Sequence, residues 1–368
     1  MKIISLSDKH YSAWDDFCKD SDDAWFRHTT TWMQYTLNHS PELSSESKSF
    51  FIADGNRILA ILPLIIEQKS GIRGKPKELS FGGSFGISPA ISNELSARKR
   101  HVMKRKIFEY VDQIALENNV QRMSIRCPVL SANFHKSSFP TPNWLLRYGF
   151  IDVSLHSQLL DLSQDISVLW QGMRRDLRKN ISRDETQLEF EVLDKNNVNT
   201  SVFGKYRELH HLASGRVTRP LSTFDLMYEW IQNGHAVLFG AKCFGEFVGF
   251  FFVTVYKNGA YNGSSCRHPD YSHLSIGHYL RWEIAKWLKS NNIIYYEIGI
   301  QQFGDLPYDL PSVKEINISN AKRGLGGHIV PLYRGEKYYS PKYYHRIMQD
   351  RMERYSATLS DPNVKVKD

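Results

Sequence analysis

The same order of sequence patterns occurs twice along the chain, and this duplication constrains the fold more than any single motif. Residues 49–127 show two apolar segments around an Asp54-Gly55 turn, then a glycine-rich loop, a helix-like stretch and a further apolar segment. Residues 236–299 repeat that order around Gly-Glu and Asn-Gly turns. Such turns between apolar segments are strong hairpin signals. A hairpin followed by a helix and a parallel strand is typical of an α+β fold.

The helices and the last strands of the two copies can also be located in the sequence. Apolar residues recur at helical spacing over about 97–117 and again over about 276–290. Each copy then ends in a segment that resembles an antiparallel edge strand, at 148–162 and at 326–335. We therefore expect each copy to form its own sheet with a crossover helix.

The chain length agrees with this duplication. At 368 residues, and with about 150 residues per domain, two or three domains are expected. We place the boundary at residue 162, which predicts one domain over 1–162 and a second over 163–368. The second domain includes a segment at 338–355 that alternates aromatic residues with cations. This segment predicts either a closing helix or a surface for nucleic acid or membrane.

The charge balance favours an anionic partner. Lys and Arg number 47 against 39 Asp and Glu, a formal net charge of +8. This excess suits a nucleotide, tRNA or a lipid head group. A hydrophobic content of 41% excludes a disordered chain.

The spacing of the cysteines and the length of the apolar segments indicate the cellular compartment of the protein. The four cysteines lie far apart without a C-x-x-C pair, which argues against a zinc site or a disulfide framework. The first residues turn polar too early for a signal peptide, and no apolar run approaches the roughly 20 residues that span a bilayer. The sequence predicts a cytoplasmic protein, with contact at the inner face of the membrane as an option.

A cationic helix is predicted over 169–183. Its apolar residues fall on one side of a 3.6-residue wheel. The other side carries Arg174, Arg175, Arg178, Lys179 and Arg183. These cations suit the phosphates of a substrate or of tRNA, and a solvated helix face explains them equally well.

The segment 272–277 follows a strand and opens a helix. Ser275 is at the expected N-cap, and the free N–H groups beyond it, at Ile276 and Gly277, can bind an anion. An ordinary capped helix is the more common explanation of such a segment.

Two further loops carry cations. Arg216 and Arg219 lie between two helical stretches, where a pair of arginines can clamp a carboxylate or a phosphate. Lys322 and Arg323 precede the glycines of 324–327. Glycines allow a ligand close to the backbone, and a cation there can neutralise an oxyanion.

Taken in order, these motifs resemble the FemAB-like acyltransferases, which have tandem GNAT-like domains. Residues 25–37 resemble that family's F-H-T-x-x-W helix, and residues 169–183 resemble its Arg-rich helix. Residues 245–288 are similar to its donor-side strands and helix, and residues 320–327 to its F-K-x-x-F-G box. The resemblance implies an α+β fold of two GNAT-like domains, each a mixed, mostly antiparallel sheet flanked by helices.

The same resemblance implies an enzyme that transfers an acyl or aminoacyl group to an amine. The acceptor would be an amino sugar or peptide of a bacterial cell-envelope or polysaccharide precursor. The co-substrate would be acyl-CoA, acyl carrier protein or aminoacyl-tRNA, with no tightly bound cofactor and no metal. We leave the oligomeric state open.

Candidate residues follow from these considerations. The catalytic candidates are Lys322, at the position of the family's box lysine, and Tyr279 and Glu297 as possible bases. The candidates for the donor phosphates are Ser275, Ile276, Gly277 and Arg323. The candidates for substrate binding are Trp32, Arg174, Arg175, Arg178, Lys179, Arg216, Arg219 and Tyr228; for Trp32, a packing role in the core is the alternative.

A different class of function also fits the sequence. A non-catalytic protein could use the duplicated fold and its basic faces to hold RNA or anionic lipid. Its binding would be sensitive to salt and would depend little on any one residue.

Overall fold

The computed structural model describes residues 1–70, 75–136 and 142–359. These residues pack into two compact units, which we call the first and second units. The first unit comprises Met1–His156, Ile300–Asn320 and the described residues from Pro331 onward. The second unit comprises Ser157–Gly299 and Ala321–Val330.

Both units contain strands and helices. The strands are β1 (Lys2–Ser5), β2 (Leu43–Ser47), β3 (Phe50–Asp54), β4 (Arg57–Leu62), β5 (Ile65–Lys69), β6 (Lys77–Leu79), β7 (Gly86–Ile87), β8 (Ala90–Ile91), β9 (Val120–Arg126), β10 (Ile151–Asp152), β11 (Leu155–Asp161), β12 (Glu189–Leu193), β13 (Ala236–Cys243), β14 (Glu246–Tyr256), β15 (Gly259–Arg267), β16 (Tyr295–Gln301), β17 (His328–Leu332) and β18 (Arg334–Tyr338). The α-helices are α1 (Tyr11–Asp20), α2 (Thr30–His39), α3 (Ala97–Glu117), α4 (Ala132–Lys136), α5 (Ile166–Gly172), α6 (Arg175–Asp184), α7 (Thr200–Ser214), α8 (Leu221–Gln232), α9 (Ile276–Ser290), α10 (Val313–Arg323) and α11 (Pro341–Leu359).

The first unit is built on two sheets. One has the strand order β1-β3-β4-β8, and the other the order β10-β18-β9-β6-β5-β2, with β7 also paired to β9. Strands β6 and β9 are parallel, and α3 lies between them in the chain, as the apolar periodicity predicts. Its buried residues Ile107, Phe108 and Val111 pack into a core with Phe50 and Met123.

The second unit is centred on one sheet with the order β12-β13-β14-β15-β16-β11-β17. Strands β12 to β15 pair antiparallel, and β15 and β16 are parallel. Helix α9 connects those two parallel strands, over the residues predicted. Leu280 and Ile284 of α9 pack on Phe239, Phe251 and Tyr296 of the sheet. The α+β fold with mixed, mostly antiparallel sheets is therefore confirmed.

The two units differ from the predicted domains in one respect. The second unit begins at residue 157, close to the predicted boundary, but 300–320 and the residues from 331 onward belong to the first unit. The reason is strand pairing: β18 forms an antiparallel ladder with β9 that matches Gly335 to Ile125. A pairing between residues more than 200 positions apart leaves no local sequence signal.

None of the helices in the described ranges is long and apolar enough to cross a lipid bilayer.

Candidate functional site

The parallel strands β15 and β16 of the second unit separate part-way along their length. They pair only from Gly259↔Tyr295 to Tyr261↔Glu297, within the part of the chain that the structure describes. Strand β15 nevertheless continues to Arg267, hydrogen-bonded to β14. A bulge at Gly263, where the β14–β15 register shifts, bends β15 just beyond the last parallel pair. The result is a gap between two neighbouring strands.

Helix α9 begins at the same end of β15, because the chain passes from Arg267 through a short loop into the helix. Ser275 is the N-cap residue, as predicted, but its side chain makes no capping hydrogen bond. The buried carboxylate of Asp184 accepts the Ser275 N–H instead, at 2.6 Å, and also two bonds from Arg183. Burial acts to raise the pKa of Asp184, but these hydrogen bonds outweigh it and lower the pKa.

Two arginines lie close to the first turn of α9. Arg281 Nη1 donates to the Gly277 carbonyl at 3.4 Å. A Cβ on Gly277 would lie 3.5 Å from Arg267 Cδ and 3.7 Å from Arg281 Nη1. Both guanidinium groups therefore lie near the helix start, where the helix dipole is already positive.

The imidazole of His278 lies buried near this positive helix start. Burial, together with the charges of Arg281, Arg267 and Arg174, lowers the pKa of His278 to about 4. His278 Nδ1 and Arg281 Nε are buried without a hydrogen-bond partner among the described residues. Buried polar atoms without partners cost free energy, so a positive helix start with two of them fits an anionic ligand.

Lys322 lies at the end of α10, beside β16. Its Nζ is 3.3 Å from the position that a Cβ on Gly299 would occupy, and Gly299 has a φ of +115°. Burial lowers the pKa of Lys322 to about 8, and Arg281 contributes, while Glu297 acts in the opposite direction. Glu297 accepts a hydrogen bond from Ser157 Oγ at 2.7 Å. An amine and a carboxylate thus lie near the gap in the sheet.

The gap between β15 and β16 and the start of α9 lie within a segment that matches a known protein family. Residues 171–309, which include β15, α9 and β16, match the family model described as an acetyltransferase (GNAT) domain. Residues 171–309 therefore form a domain of the GNAT acetyltransferase type, and the predicted resemblance to the FemAB-like acyltransferases is supported. The prediction of an N-acyltransferase is confirmed at this level.

Solved structures with GNAT-like folds are similar to this chain over most of its length. The structure of FemX covers 95% of this chain and 100% of its own, at 10% identity and a TM-score of 0.66. The C-terminal domain of a putative lysylphosphatidylglycerol synthetase from Agrobacterium fabrum covers 98% and 99%, at 13% identity and a TM-score of 0.58. A tandem GNAT protein from the clavulanic acid biosynthesis pathway covers 92% and 99%, at 12% identity and a TM-score of 0.51. No curated protein matches the sequence significantly.

The predicted cationic helix 169–183 is two helices in the GNAT domain. Helix α5 ends at Gly172, Met173 and Arg174 are extended, and α6 then begins. The break has a tertiary cause, because Arg174 N donates to the Gly324 carbonyl at 2.9 Å. A Cβ on Gly326 would lie 2.8 Å from the Gly172 carbonyl oxygen. The glycines after Lys322 are therefore required for this contact.

The predicted cations of this region lie in different surroundings. Arg174 is exposed, forms a bidentate ion pair with Asp176 and contributes to the field at His278. Burial, with a contribution from Arg174, lowers the pKa of Arg323. Arg175 and Lys179 are exposed, and Arg178 is half-buried, on α6.

Tyr279 has a structural contact. Its hydroxyl donates to the Leu188 carbonyl at 3.0 Å, and burial raises its pKa to about 12. A phenol held in this way is a poor base near neutral pH, so Lys322 and Glu297 are the better catalytic candidates.

The other predicted binding residues form separate groups. Arg216 is exposed on the connection between α7 and α8. Arg219 lies on the same connection, 3.1 Å from Met227 Sδ. The Tyr228 ring packs against Phe203, with ring centroids 5.2 Å apart. Trp32 belongs to α2 of the first unit, where Arg27 Cζ lies 5.1 Å from its ring centroid.

Sequence reasoning missed Arg267, His278 and Arg281. Arg281 follows Gly277 by four residues and therefore shares its helix face, which was a usable signal. Arg267 is the last residue of β15, and its approach to α9 depends on the fold. Within the described ranges, no group of three His, Cys, Asp or Glu side chains could hold a metal ion.

Proposed function

We propose that this protein transfers an acyl or aminoacyl group from a phosphate-bearing donor to an amine. The observation that carries the proposal is the gap between β15 and β16, with the cationic start of α9 at one end and Lys322 beside it. The gap gives an extended donor a place to lie along the free edges of the two strands. Arg267 and Arg281 near the start of α9 supply positive charge for the phosphates of the donor.

The donor phosphates would bind at the first turn of α9. The N–H groups of Ile276 and Gly277 are at the positive end of the helix dipole. The guanidinium groups of Arg267 and Arg281 add charge-assisted hydrogen bonds, which are roughly twice as strong as neutral ones. His278 Nδ1, buried without a partner among the described residues, adds a further polar contact.

Transfer requires attack by a neutral amine on the donor carbonyl. A C–N bond forms, the carbonyl oxygen becomes an oxyanion, and the bond to the sulfur or oxygen of the leaving group then breaks. The proton lost by the amine ends on that leaving group. The Lys322 ammonium would stabilise the oxyanion, and Glu297 would act as a positioning residue that keeps the ammonium charged.

The class of donor and acceptor is also proposed. The donor is acyl-CoA, acyl carrier protein or aminoacyl-tRNA, and the acceptor is an amino group on a cell-envelope or polysaccharide precursor. The name lysylphosphatidylglycerol synthetase includes that of a membrane lipid, which is consistent with an envelope substrate. The cations on α6, the Arg216–Arg219 loop and Tyr228, all in the second unit, are the candidates for contact with the acceptor. We place the reaction in the cytoplasm. An acceptor at the inner face of the membrane would require peripheral membrane contact.

A donor panel tests the proposal. The protein is mixed with acetyl-CoA, acetyl-acyl carrier protein or alanyl-tRNA and with an amino sugar or a short peptide, and amide products are detected by mass spectrometry. At least one donor should give product. Failure of every donor would favour the alternative of a non-catalytic RNA- or lipid-binding protein.

A matched pair of glycine variants tests where the donor binds. Gly277→Val places a branched side chain between the start of α9 and Arg267, and we expect the KM for the donor to rise about tenfold, which corresponds to about 1.4 kcal/mol. Gly204→Val lies on α7, where a Cβ meets nothing within 4 Å, and should leave KM unchanged. Equal KM values for both variants would exclude this binding position.

A further inference from the structure

The first unit carries a second cationic surface, remote in sequence from the GNAT family match. It is a groove of about 740 Å³ between the β5–β6 hairpin and the start of α11. Its charged lining consists of Lys75, Lys77, Lys342 and Arg346, with His345 beside them. No acidic side chain lines the groove among the described residues.

The four cations of the groove are not neutralised within the protein. In the described part of the chain, none of them lies within 4.0 Å of a carboxylate oxygen, whereas other cations of the first unit, such as Arg100, Arg122 and Arg351, are paired with carboxylates. The nearby carboxylate of Glu78 is already engaged, because Arg122 and the Tyr343 hydroxyl both donate to it. The groove therefore presents about four uncompensated positive charges to solvent.

Uncharged polar groups complete the lining. Amide side chains are contributed by Gln68, Asn119, Gln121 and Gln349, and a hydroxyl by Ser340. Amides both donate and accept hydrogen bonds, so they can meet ribose hydroxyls and base edges. The Arg346 guanidinium lies 4.8 Å from the centroid of the Tyr343 ring, which holds it at the groove wall.

We infer that this groove binds the phosphodiester backbone of RNA. Cations spaced along a concave surface, interleaved with amides, match successive phosphates and the sugars between them. A bilayer surface fits less well, since peripheral membrane contact needs apolar side chains to insert and no large exposed apolar side chain lines the groove in the described chain. The groove goes beyond the proposed function, because its residues belong to the first unit and the proposed donor site belongs to the second.

Salt-dependent RNA binding tests the inference. Full-length protein is titrated into a fluorescent 20-nucleotide RNA and into unacylated bulk tRNA, from 50 to 300 mM KCl, and anisotropy is recorded. The groove variant combines Lys75→Gln, Lys342→Gln and Arg346→Gln. The control combines Lys9→Gln, Arg98→Gln and Lys99→Gln, which removes the same three charges from exposed positions of the first unit.

We expect the groove variant to bind RNA at least about tenfold more weakly and to lose about one unit of the slope of log K against log [KCl] per cation removed. The control should bind like the wild type, and both variants should unfold at the wild-type temperature. Replacing the same three groove positions by the other cation (Lys75→Arg, Lys342→Arg, Arg346→Lys) should restore binding.

Three outcomes would overturn the inference. They are absence of RNA binding by the wild type, equal weakening in both triple variants, or groove-dependent binding to phosphatidylglycerol vesicles without binding to RNA. Acyl transfer from a donor that contains no RNA should be the same in the groove variant and the wild type. A failure of RNA binding alone would therefore leave the proposed function standing.

Discussion

Lys322 shows at the scale of one residue how burial prepares a group for chemistry. A lysine in water is charged at any physiological pH. Burial beside Gly299, aided by the charge of Arg281, lowers the pKa of Lys322 to about 8. At neutral pH the ammonium is then present in a poorly hydrated place, where, under the proposed mechanism, its charge would act more strongly on a developing oxyanion.

The pH dependence of kcat distinguishes the two roles open to this lysine. The ammonium is present below the pKa of about 8 and is lost as the pH rises through it. If the ammonium stabilises the oxyanion, kcat should fall above pH 8, and Lys322→Arg should move that decline to a higher pH, since a guanidinium stays charged. A kcat that instead rises through pH 8 would identify the neutral amine as a base and contradict the role proposed here.

The sequence predicted some of these residues and could not predict others. Lys322 and the segment 275–277 stand beside glycines and a helix start, which are local signals. The approach of Arg267 to Gly277, and the capping of α9 by Asp184 rather than by the Ser275 side chain, depend on tertiary contacts. Asp184 is 91 residues from Ser275 in the chain, and no spacing rule connects them.

At the scale of elements, Gly299 gives β16 a backbone conformation with positive φ at the point where the strand lies against Lys322. Glycine adopts a φ of +115° without the clash that a Cβ causes. The close approach of the lysine amine uses the same missing side chain. Gly299 thus allows both the backbone conformation of β16 and the close approach of the Lys322 amine.

A pair of alanine variants tests this element. Gly299→Ala should lower the free energy of unfolding by about 1–3 kcal/mol through backbone strain, and its methyl group should displace Lys322 and reduce kcat. Gly304→Ala, at a position with open space around it, should change stability by less than about 0.5 kcal/mol. Thermal unfolding and kcat are measured for both. Equal values for the two variants would show that Gly299 is not required.

Elements with local signals were predicted well, and those defined by distant contacts were not. Helices α3 and α9 agree with their apolar periodicity. The break between α5 and α6 was missed because it follows from the contact of Arg174 with Gly324, 150 residues away. The helical spacing of apolar residues continues through 169–183, although the helix itself breaks at Met173 and Arg174. The break is explained by the contact with the glycines of 324–327.

At the scale of the whole molecule, the duplication was visible in the sequence but the path of the C-terminal residues was not. Two similar units were expected from the repeated order of patterns. Residues 300–320 and β18 belong to the first unit, and for β18 the contacts include the buried carboxylate of Glu336, which pairs with Arg122 and Arg351. Such a buried ion-pair network favours the pairing of segments that carry opposite charges. It produces no periodic pattern in the sequence from which the pairing could be predicted.

Acyl transfer by this protein should depend on Lys322, and one measurement tests this directly. Amide formation from the active donor is followed by mass spectrometry for the wild type and for Lys322→Ala, with Lys314→Ala on the exposed first turn of the same helix as the control. Loss of one oxyanion contact typically costs about 10²–10³ in kcat, and we predict a decrease of that size for Lys322→Ala alone. An unchanged kcat in a folded Lys322→Ala protein would contradict the central role given to this lysine.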